Sequence, residues 1–351
     1  MADVLRFFHP VLASRALRKD PVRVTVDGRH VALFRDATGR VGALHDRCPH
    51  RFAPLSKGRV RPDGRLACPY HGWHFDVEGR GVSPSQPTLT RCDAQPLRAI
   101  ERHDTIWIAA AGTPDEAFPS LAVPEGHQFG GRFSTLFEAP LHVALDNFSE
   151  DEHTPWVHTR LGWTEPDTST IAFDARSFAD RTEVSYTARQ RETALRGLVA
   201  LKKGDLFHND WVTHFDPVRT LYSIYWTDPV SGARRPGSLH AAIFMVPETE
   251  RTTRFQVLLF ARFLGPFRLV APLLRRVAVA LVWLEVRDDA RFIPTVADTP
   301  LDLRGMRLGR FDKPIVHNRR LLRRVYRGEE AAPVERAASD GDAGESDTDT
   351  P

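Results

Sequence analysis

Cys48-Pro-His50 and, after an intervening 17 residues, Cys68-Pro-Tyr-His71 decide how the chain is read. At Cys-x-His and Cys-x2-His spacing, one thiolate and one imidazole come from each of two short segments, so four ligands can meet at one compact centre. That is the ligand set of a [2Fe-2S] cluster in which two His replace two Cys on one of the irons. Neutral imidazoles leave such a cluster less negative than four thiolates would, which raises its potential and suits it to passing electrons singly. Pro49, Pro54, Gly58, Pro69 and Gly72 surround the ligands with turn-forming residues, so each half of the motif is expected at a loop tip. A structural zinc site is the alternative, since two Cys and two His also make a zinc set. Zinc motifs pair Cys with Cys and His with His, whereas each half here mixes the two.

Cys48-Pro-His50-Arg51 together with Cys68-Pro-Tyr-His71-Gly72-Trp73 resembles the Rieske domain of the Rieske non-haem iron oxygenases, specifically of their catalytic (alpha) subunits. The resemblance runs from about Phe7 to Pro87 and implies a Rieske [2Fe-2S] cluster held by Cys48, His50, Cys68 and His71. Rieske domains also occur in pure electron carriers, so the rest of the chain must supply the case for an enzyme.

A length of 351 residues allows two domains of ordinary size, and 42% hydrophobic with 26% charged residues describes a soluble globular chain. The net charge of +3, with basic residues scattered, argues against a nucleic-acid partner. Three cysteines, two of them placed at the cluster, leave Cys92 single and exclude a disulfide framework. Reduced thiols as ligands and the lack of a charged-then-apolar N-terminal leader point to the cytoplasm. The most apolar stretch, Phe267 to Leu284, is interrupted by Arg268, Arg275 and Arg276. A buried helix fits it better than a transmembrane span.

From Val22 to Leu44 apolar residues alternate around Asp27-Gly28 and Asp36 to Gly39, which predicts hairpins delivering the first cluster loop. Leu66 to Cys68, Trp73 to Asp76 and Ile106 to Ile108 read as further strands, followed by a Gly/Pro-rich link. A second domain starts with alternation near Phe133 to Val143 and a helical stretch over Leu145 to His158. Strands are expected within Thr182–Thr187, Val212–Phe215, Leu221–Trp226, His240–Val246 and Thr253–Phe260. A closing helix is expected from Pro266 to about Phe292. The predicted architecture is α+β: an N-terminal antiparallel β Rieske domain (1–115), then an α+β catalytic domain with an antiparallel sheet and C-terminal helix (116–327). From Gly328 onward the composition turns acidic, small and free of aromatic residues, which predicts a disordered tail over 328–351.

His153 and His158 stand five apart in Asn147-Phe-Ser-Glu150-Asp-Glu-His153-Thr-Pro155-Trp-Val-His158. Two imidazoles and one carboxylate on one face of an iron form the facial triad of non-haem Fe(II) oxygenases. Residues five apart on a regular helix diverge by about 140°, so sharing a metal requires a break, and Pro155 lies between them. The stretch resembles the oxygenase motif Asn-x2-Asp-x2-His-x4-His, with Glu150 where the family has Asp. The resemblance implies that Glu150, with Asn147 near it, is not a ligand but a bridge between a cluster His and an iron His. It also implies a third ligand on the closing helix, where Asp289 matches best and Asp288 and Glu285 compete. Taken alone, the stretch could equally be an acidic surface helix with two incidental histidines.

The resemblance thus implies mononuclear Fe(II) held by His153, His158 and Asp289, O2 as co-substrate, and hydroxylation or demethylation of a small, aromatic or cyclic substrate. With no G-x-G-x-x-G fingerprint in the chain, electrons from NAD(P)H would arrive through a separate ferredoxin or flavin reductase. The spacing looks more like the monooxygenase and oxidative demethylase branch than the naphthalene-type dioxygenases. Too long a separation between the two centres of one chain implies a head-to-tail homotrimer in which Glu150 meets His50 or His71 of a neighbour. A Rieske electron carrier with a partner-docking C-terminal domain is the alternative from another class.

Overall fold

Alternating apolar residues and tight turns build the first third of the chain into two antiparallel sheets. In the computed structural model, which describes residues 3–90, 92–158, 160, 163–164, 169–192 and 201–329, a six-stranded sheet comes first. It is formed by β1 (His9–Ala13), β2 (Val22–Val26), β3 (Arg29–Arg35), β4 (Val41–His45), β9 (Pro96–Arg102) and β10 (Thr105–Ala110), in the order β1-β10-β9-β4-β3-β2. Inserted between β4 and β9 is a four-stranded sheet of two-residue strands: β5 (Arg59–Val60), β6 (Leu66–Ala67), β7 (His74–Phe75) and β8 (Gly81–Val82). Asp27 and Gly28 both take positive φ, 50° and 76°, the left-handed pair that a two-residue hairpin turn requires. Gly58 is fixed by contact instead, because a Cβ there would stand 2.0 Å from the Ala67 carbonyl oxygen.

The third sheet, in the rest of the chain, has seven antiparallel strands among the described residues, in the order β11-β17-β16-β15-β14-β13-β12. They are β11 (Gln128–Phe137), β12 (Ala172–Ser177), β13 (Arg181–Arg189), β14 (Leu206–Phe215), β15 (Val218–Thr227), β16 (Arg234–Thr249) and β17 (Thr252–Phe263). Period-two burial is plain along β13 and β14, where Val184, Tyr186 and Ala188, then Phe207, Asn209 and Trp211, turn inward. Among the described residues, four α-helices accompany the sheet: α1 (Leu141–Asn147), α2 (Thr154–Val157), α3 (Ala271–Phe292) and α4 (Lys313–Leu321), the last continued by a π-helical turn, Leu322–Tyr326. Along α3 the buried positions Ala271, Leu274, Ala278, Val282, Glu285, Val286 and Asp289 form one stripe against the sheet.

Three expectations are corrected. The stretch Leu145 to His158 is not one helix but the end of α1, a loop over 148–153, and the single turn α2. At the first stop the Ser149 hydroxyl donates to the Leu145 carbonyl (2.6 Å), a local bond that competes with the helical ladder. The closing helix begins at Ala271 rather than Pro266, with a separate 3-10 turn at Gly265–Arg268 before it. It is also not the last element, since α4 follows and packs against α1 and the β12–β13 edge. The tail expected from Gly328 lies, beyond Glu329, outside the described residues.

The six-stranded and seven-stranded sheets, with the segments flanking them, are joined at several points. The Asp27 and Gly28 amides donate to the carbonyls of Pro247 (2.7 Å) and Glu248 (2.9 Å), and the Gln256 amide side chain donates to the Val11 carbonyl (3.1 Å). Arg6 donates to the Val325 (2.6 Å) and Tyr326 (2.9 Å) carbonyls, and Arg327 pairs with Asp27 (2.5 Å). His9, buried, holds the Val4 carbonyl at 3.0 Å and meets the Tyr326 ring edge-on at 5.9 Å.

Candidate metal centres

The first centre is made by two turns of the same construction. In one, the Cys48 amide donates to the Ala53 carbonyl (2.9 Å) while the Phe52 amide donates back to Cys48 (2.8 Å). In the other, the Cys68 amide donates to the Trp73 carbonyl (2.7 Å) and the Gly72 amide to Cys68 (3.2 Å). Both close through a left-handed residue, Phe52 at φ 62° and Gly72 at φ 73°. Phe52 accepts that cost in the open, with the Arg47 guanidinium 3.7 Å over its ring. The turns bring His50 and His71 to 4.6 Å between ring centroids, and His50 stacks on Trp73 at 4.6 Å with planes 3° apart.

Cys48 and Cys68 are buried in a small core with Leu55, Leu66 and Phe75, while Tyr70 and Phe52 beside the motif are exposed. Burial, and the neighbouring Cys68 thiol, push the Cys48 thiol up to about 11, so it resists ionising until cationic charge arrives. Among the described residues only His153, His158 and Asp289 bring three ligand atoms within 4.8 Å of one another. Cys92, buried apart from Cys48 and Cys68, donates its thiol to the Gly81 carbonyl (2.9 Å).

The second centre is assembled from distant segments. His153 is the N-cap of α2 and His158 its C-cap, where the backbone turns extended (φ −100°, ψ 147°). Pro155 opens this helical turn rather than breaking it; the change at His158 is what turns the two imidazoles toward each other. Their Nε2 atoms stand 3.2 Å apart, and Asp289 Oδ1 lies 3.4 Å from that of His153 and 3.2 Å from that of His158. Ligands about 2.1 Å from an octahedral metal, at right angles, are about 3.0 Å apart. The three atoms therefore fit one face of a six-coordinate ion. Asp289 Oδ1 is buried and has no hydrogen-bond donor, which is the state of an atom waiting for a cation.

Glu150 fixes the first imidazole. Its carboxylate lies 2.5 Å from His153 Nδ1 and accepts the Glu152 (2.5 Å) and His153 (3.3 Å) amides, so Nε2 is the nitrogen left for a metal. Glu285 Oε2 stands 3.0 Å from His158 Nδ1 in the equivalent place, and Asp288 is taken by Arg160 (2.8 Å). Of the three competing acids, only Asp289 points between the imidazoles. Burial alone would depress the two histidines, but Glu150 and Asp289 raise His153 well above its usual value, and Asp289 and Glu285 raise His158 to about 9. Burial disfavours the Asp289 charge, yet the two imidazoles bring it down to about 2. The site is built to hold positive charge.

A second layer, absent from the sequence reading, holds the loop from behind. Arg319 of α4, buried, grips the Asp146 carboxylate through Nε (3.0 Å) and Nη2. Asn318 donates to Ser149 Oγ (2.8 Å) and accepts from Thr182 Oγ1 (2.6 Å), and the Tyr222 hydroxyl donates to the Phe148 carbonyl (2.7 Å). Asp312-Lys313-Pro314, with proline in the first turn of α4, was the available signal for that helix. On the open side of the triad is a cavity of about 120 Å³ bounded by Phe207, Tyr222, Ile224, Ile243 and Val282, with Asn147 and Asn209 at its polar edge. The Asn147 Nδ2 has no partner there. His208, by contrast, is satisfied by Thr187 (2.9 Å) and Thr227 (2.8 Å) hydroxyls.

Comparison with known proteins agrees with this picture. The family model for the Rieske [2Fe-2S] domain matches residues 7–94. The 4beta-methylsterol monooxygenase of Methylococcus capsulatus is 31% identical over 259 residues, 68% of this chain and 63% of that protein. Chlorophyllide a oxygenase of Chlamydomonas reinhardtii is 32% identical over 168 residues, 46% of this chain and 26% of that protein. The chain thus spans less than two thirds of the length of these relatives. Among solved structures, dicamba monooxygenase bound to 3,6-dichlorosalicylic acid superposes with a TM-score of 0.78 at 20% identity, covering 93% of this chain and 98% of that one, a likeness of fold. The chain therefore carries an N-terminal Rieske [2Fe-2S] domain, shares its fold with dicamba monooxygenase, and is similar in sequence to oxygenases.

Proposed function

We propose that the chain is the oxygenase component of an O2-dependent system that hydroxylates or oxidatively demethylates a small, largely apolar, aromatic or cyclic substrate. The observation that carries this reading is the convergence of His153 Nε2, His158 Nε2 and Asp289 Oδ1 on one point, open toward an apolar cavity. Cys48, His50, Cys68 and His71 would hold the Rieske cluster, and His153, His158 and Asp289 the mononuclear Fe(II). Bound there, the two groups would supply single-electron relay and activation of O2. Within the chain, Glu150 sets the His153 tautomer, Phe207, Tyr222, Ile224 and Ile243 exclude water, and Asn147 and Asn209 offer the polar groups that orient a substrate. The monooxygenase branch is favoured because the sterol relative and the matching solved structure are both monooxygenases.

Electrons from NAD(P)H would enter through a separate reductase, and the cytoplasm is the proposed address. No helix among the described residues is long and apolar enough to cross a membrane. The exposed cluster turns and the inward triad of a single chain suit a head-to-tail homotrimer in which Glu150 reaches His50 or His71 of a neighbour. Two measurements test the reading. Iron per chain should be about three, from the cluster plus the triad, against about two for an electron carrier. Glu150→Gln should keep both metals and the trimer yet slow single-turnover reduction of the mononuclear site sharply; unchanged kinetics would remove Glu150 from the electron path.

A further inference from the structure

The N-terminal end of α3 carries an apolar surface that no described part of the chain covers. Leu264, Leu269, Val270 and Leu273 are 40, 89, 48 and 62% exposed. They lie on the connection that leaves β17, passes through the 3-10 turn Gly265–Arg268 and enters the first turn of α3. This helix buries its other stripe, from Ala271 and Leu274 to Asp289, so Leu269 and Leu273 are turned away from the core rather than showing its edge. Single exposed leucines are ordinary on a soluble protein, but four large aliphatic side chains within residues 264–273 make a patch.

A charge pattern surrounds the same patch. From Arg251 to Leu284 the sequence contains six arginines and no Asp or Glu. Three of the six are occupied: Arg251 by Asp298, Arg254 by Glu248 and Arg275 by the Gln128 side chain. Arg262, Arg268 and Arg276 are exposed and have no carboxylate partner among the described residues. Protruding aliphatic side chains rimmed by free guanidinium groups match the two layers of one surface, an acyl boundary with anionic headgroups above it. The patch stands on the connection between β17 and α3 and combines exposed aliphatic side chains with unpaired arginines, the pairing that an anionic lipid surface calls for. From Leu273 to Asp289 the helix rises about 24 Å at 1.5 Å per residue, so contact at this end leaves the triad clear.

We propose that residues 264–276 insert shallowly into an anionic lipid surface, with Leu264, Leu269, Val270 and Leu273 in the acyl boundary and Arg262, Arg268 and Arg276 on the lipid phosphates. The test is co-sedimentation of the intact metal-loaded protein with vesicles of phosphatidylcholine alone and of equal parts phosphatidylcholine and phosphatidylglycerol. Wild type should sediment with the mixed vesicles, several-fold less with phosphatidylcholine alone, and progressively less as salt is raised. Leu269→Glu combined with Leu273→Glu should abolish binding while leaving the cluster spectrum and oligomeric state unchanged. Arg268→Gln with Arg276→Gln should weaken binding to the mixed vesicles by roughly thirtyfold, from about fivefold per arginine. The proposal is overturned if wild type ignores the mixed vesicles or if the leucine variant still binds them. A leucine variant that changes oligomeric state would overturn it too, by assigning the patch to a second copy of the chain.

Discussion

The two proposed ligand sets solve opposite problems. The cluster quartet is local in sequence, held by two backbone turns, and sits at loop tips beside exposed Tyr70 and Phe52. The triad is drawn from residues 153, 158 and 289, lies under a seven-stranded sheet, and depends on side chains from α1, α3 and α4 to stay in place. A group that exchanges electrons with another protein has to be reachable, and backbone turns can fix it without a large core. A group that activates a reactive gas against a substrate has to be enclosed, which only long-range packing provides. Local construction makes the first site robust to changes elsewhere; distributed construction makes the second sensitive to them.

Removing ligands should separate the two most sharply. His71→Ala should abolish the visible cluster spectrum while the second domain stays folded, and a surviving spectrum would end the cluster assignment. Asp289→Ala should leave the cluster reducible and take product formation below detection; retained mononuclear iron and turnover would move the carboxylate ligand to Asp288 or Glu285.

Arg319→Leu asks whether the triad really depends on distant packing. It strands Asp146 in the interior, where burial pushes its carboxyl up to about 6 even with the guanidinium beside it, and loss of one partner of such a pair costs about 3–5 kcal/mol. The mononuclear metal should be lost at lower chelator concentration or temperature than in wild type, with the cluster spectrum intact. Parallel loss of both signals would show that the two sites share one cooperative unit.

These outcomes bear on what a sequence can reveal. The Rieske domain was legible because the chemistry and the turns of its candidate cluster ligands lie within a few residues of one another. His153 and His158 were legible as a pair, yet how they come to face each other was not. The answer lies in the extended backbone at His158 and the Ser149 stop, neither of which a helical pattern announces. Asn318 and Arg319 were missed altogether: α4 mixes its buried Ile315 and Leu321 with a run of arginines that reads as solvated surface, and Arg319 is buried only because Asp146 lies 173 positions earlier. The edge strand β12 escaped for a related reason, since its half-exposed residues alternate too weakly to mark a face.

The seam between the regions should give a smaller effect. Burial lowers His9 from 6.5 to about 4, so it is neutral in the fold at neutral pH. Its contribution to stability is present above pH 6.5 and is lost as pH falls toward 4, because the unfolded chain takes up the proton first. The loss is at most about 3 kcal/mol. His9→Gln, which keeps a donor for the Val4 carbonyl, should flatten this part of the pH dependence in denaturant titrations; an unchanged slope would place the titration elsewhere. The smallest effect is expected from truncation after Arg327, which should alter neither metal content nor turnover. A change in either would tie the acidic tail to one of the two regions or to a partner.

The clasp formed by Arg6 on the carbonyls of Val325 and Tyr326 joins positions 319 and 320 residues apart. During synthesis at about 5–20 residues per second, the second half of that clasp appears roughly fifteen seconds to a minute after the first. Through that interval Val4, Leu5 and His9 wait without Tyr326, so the Rieske sheet must stand on its own local turns while the rest is made. The locality of its ligand turns is therefore also a matter of timing: the part of the molecule that is translated first is the part whose turns close over only a few residues.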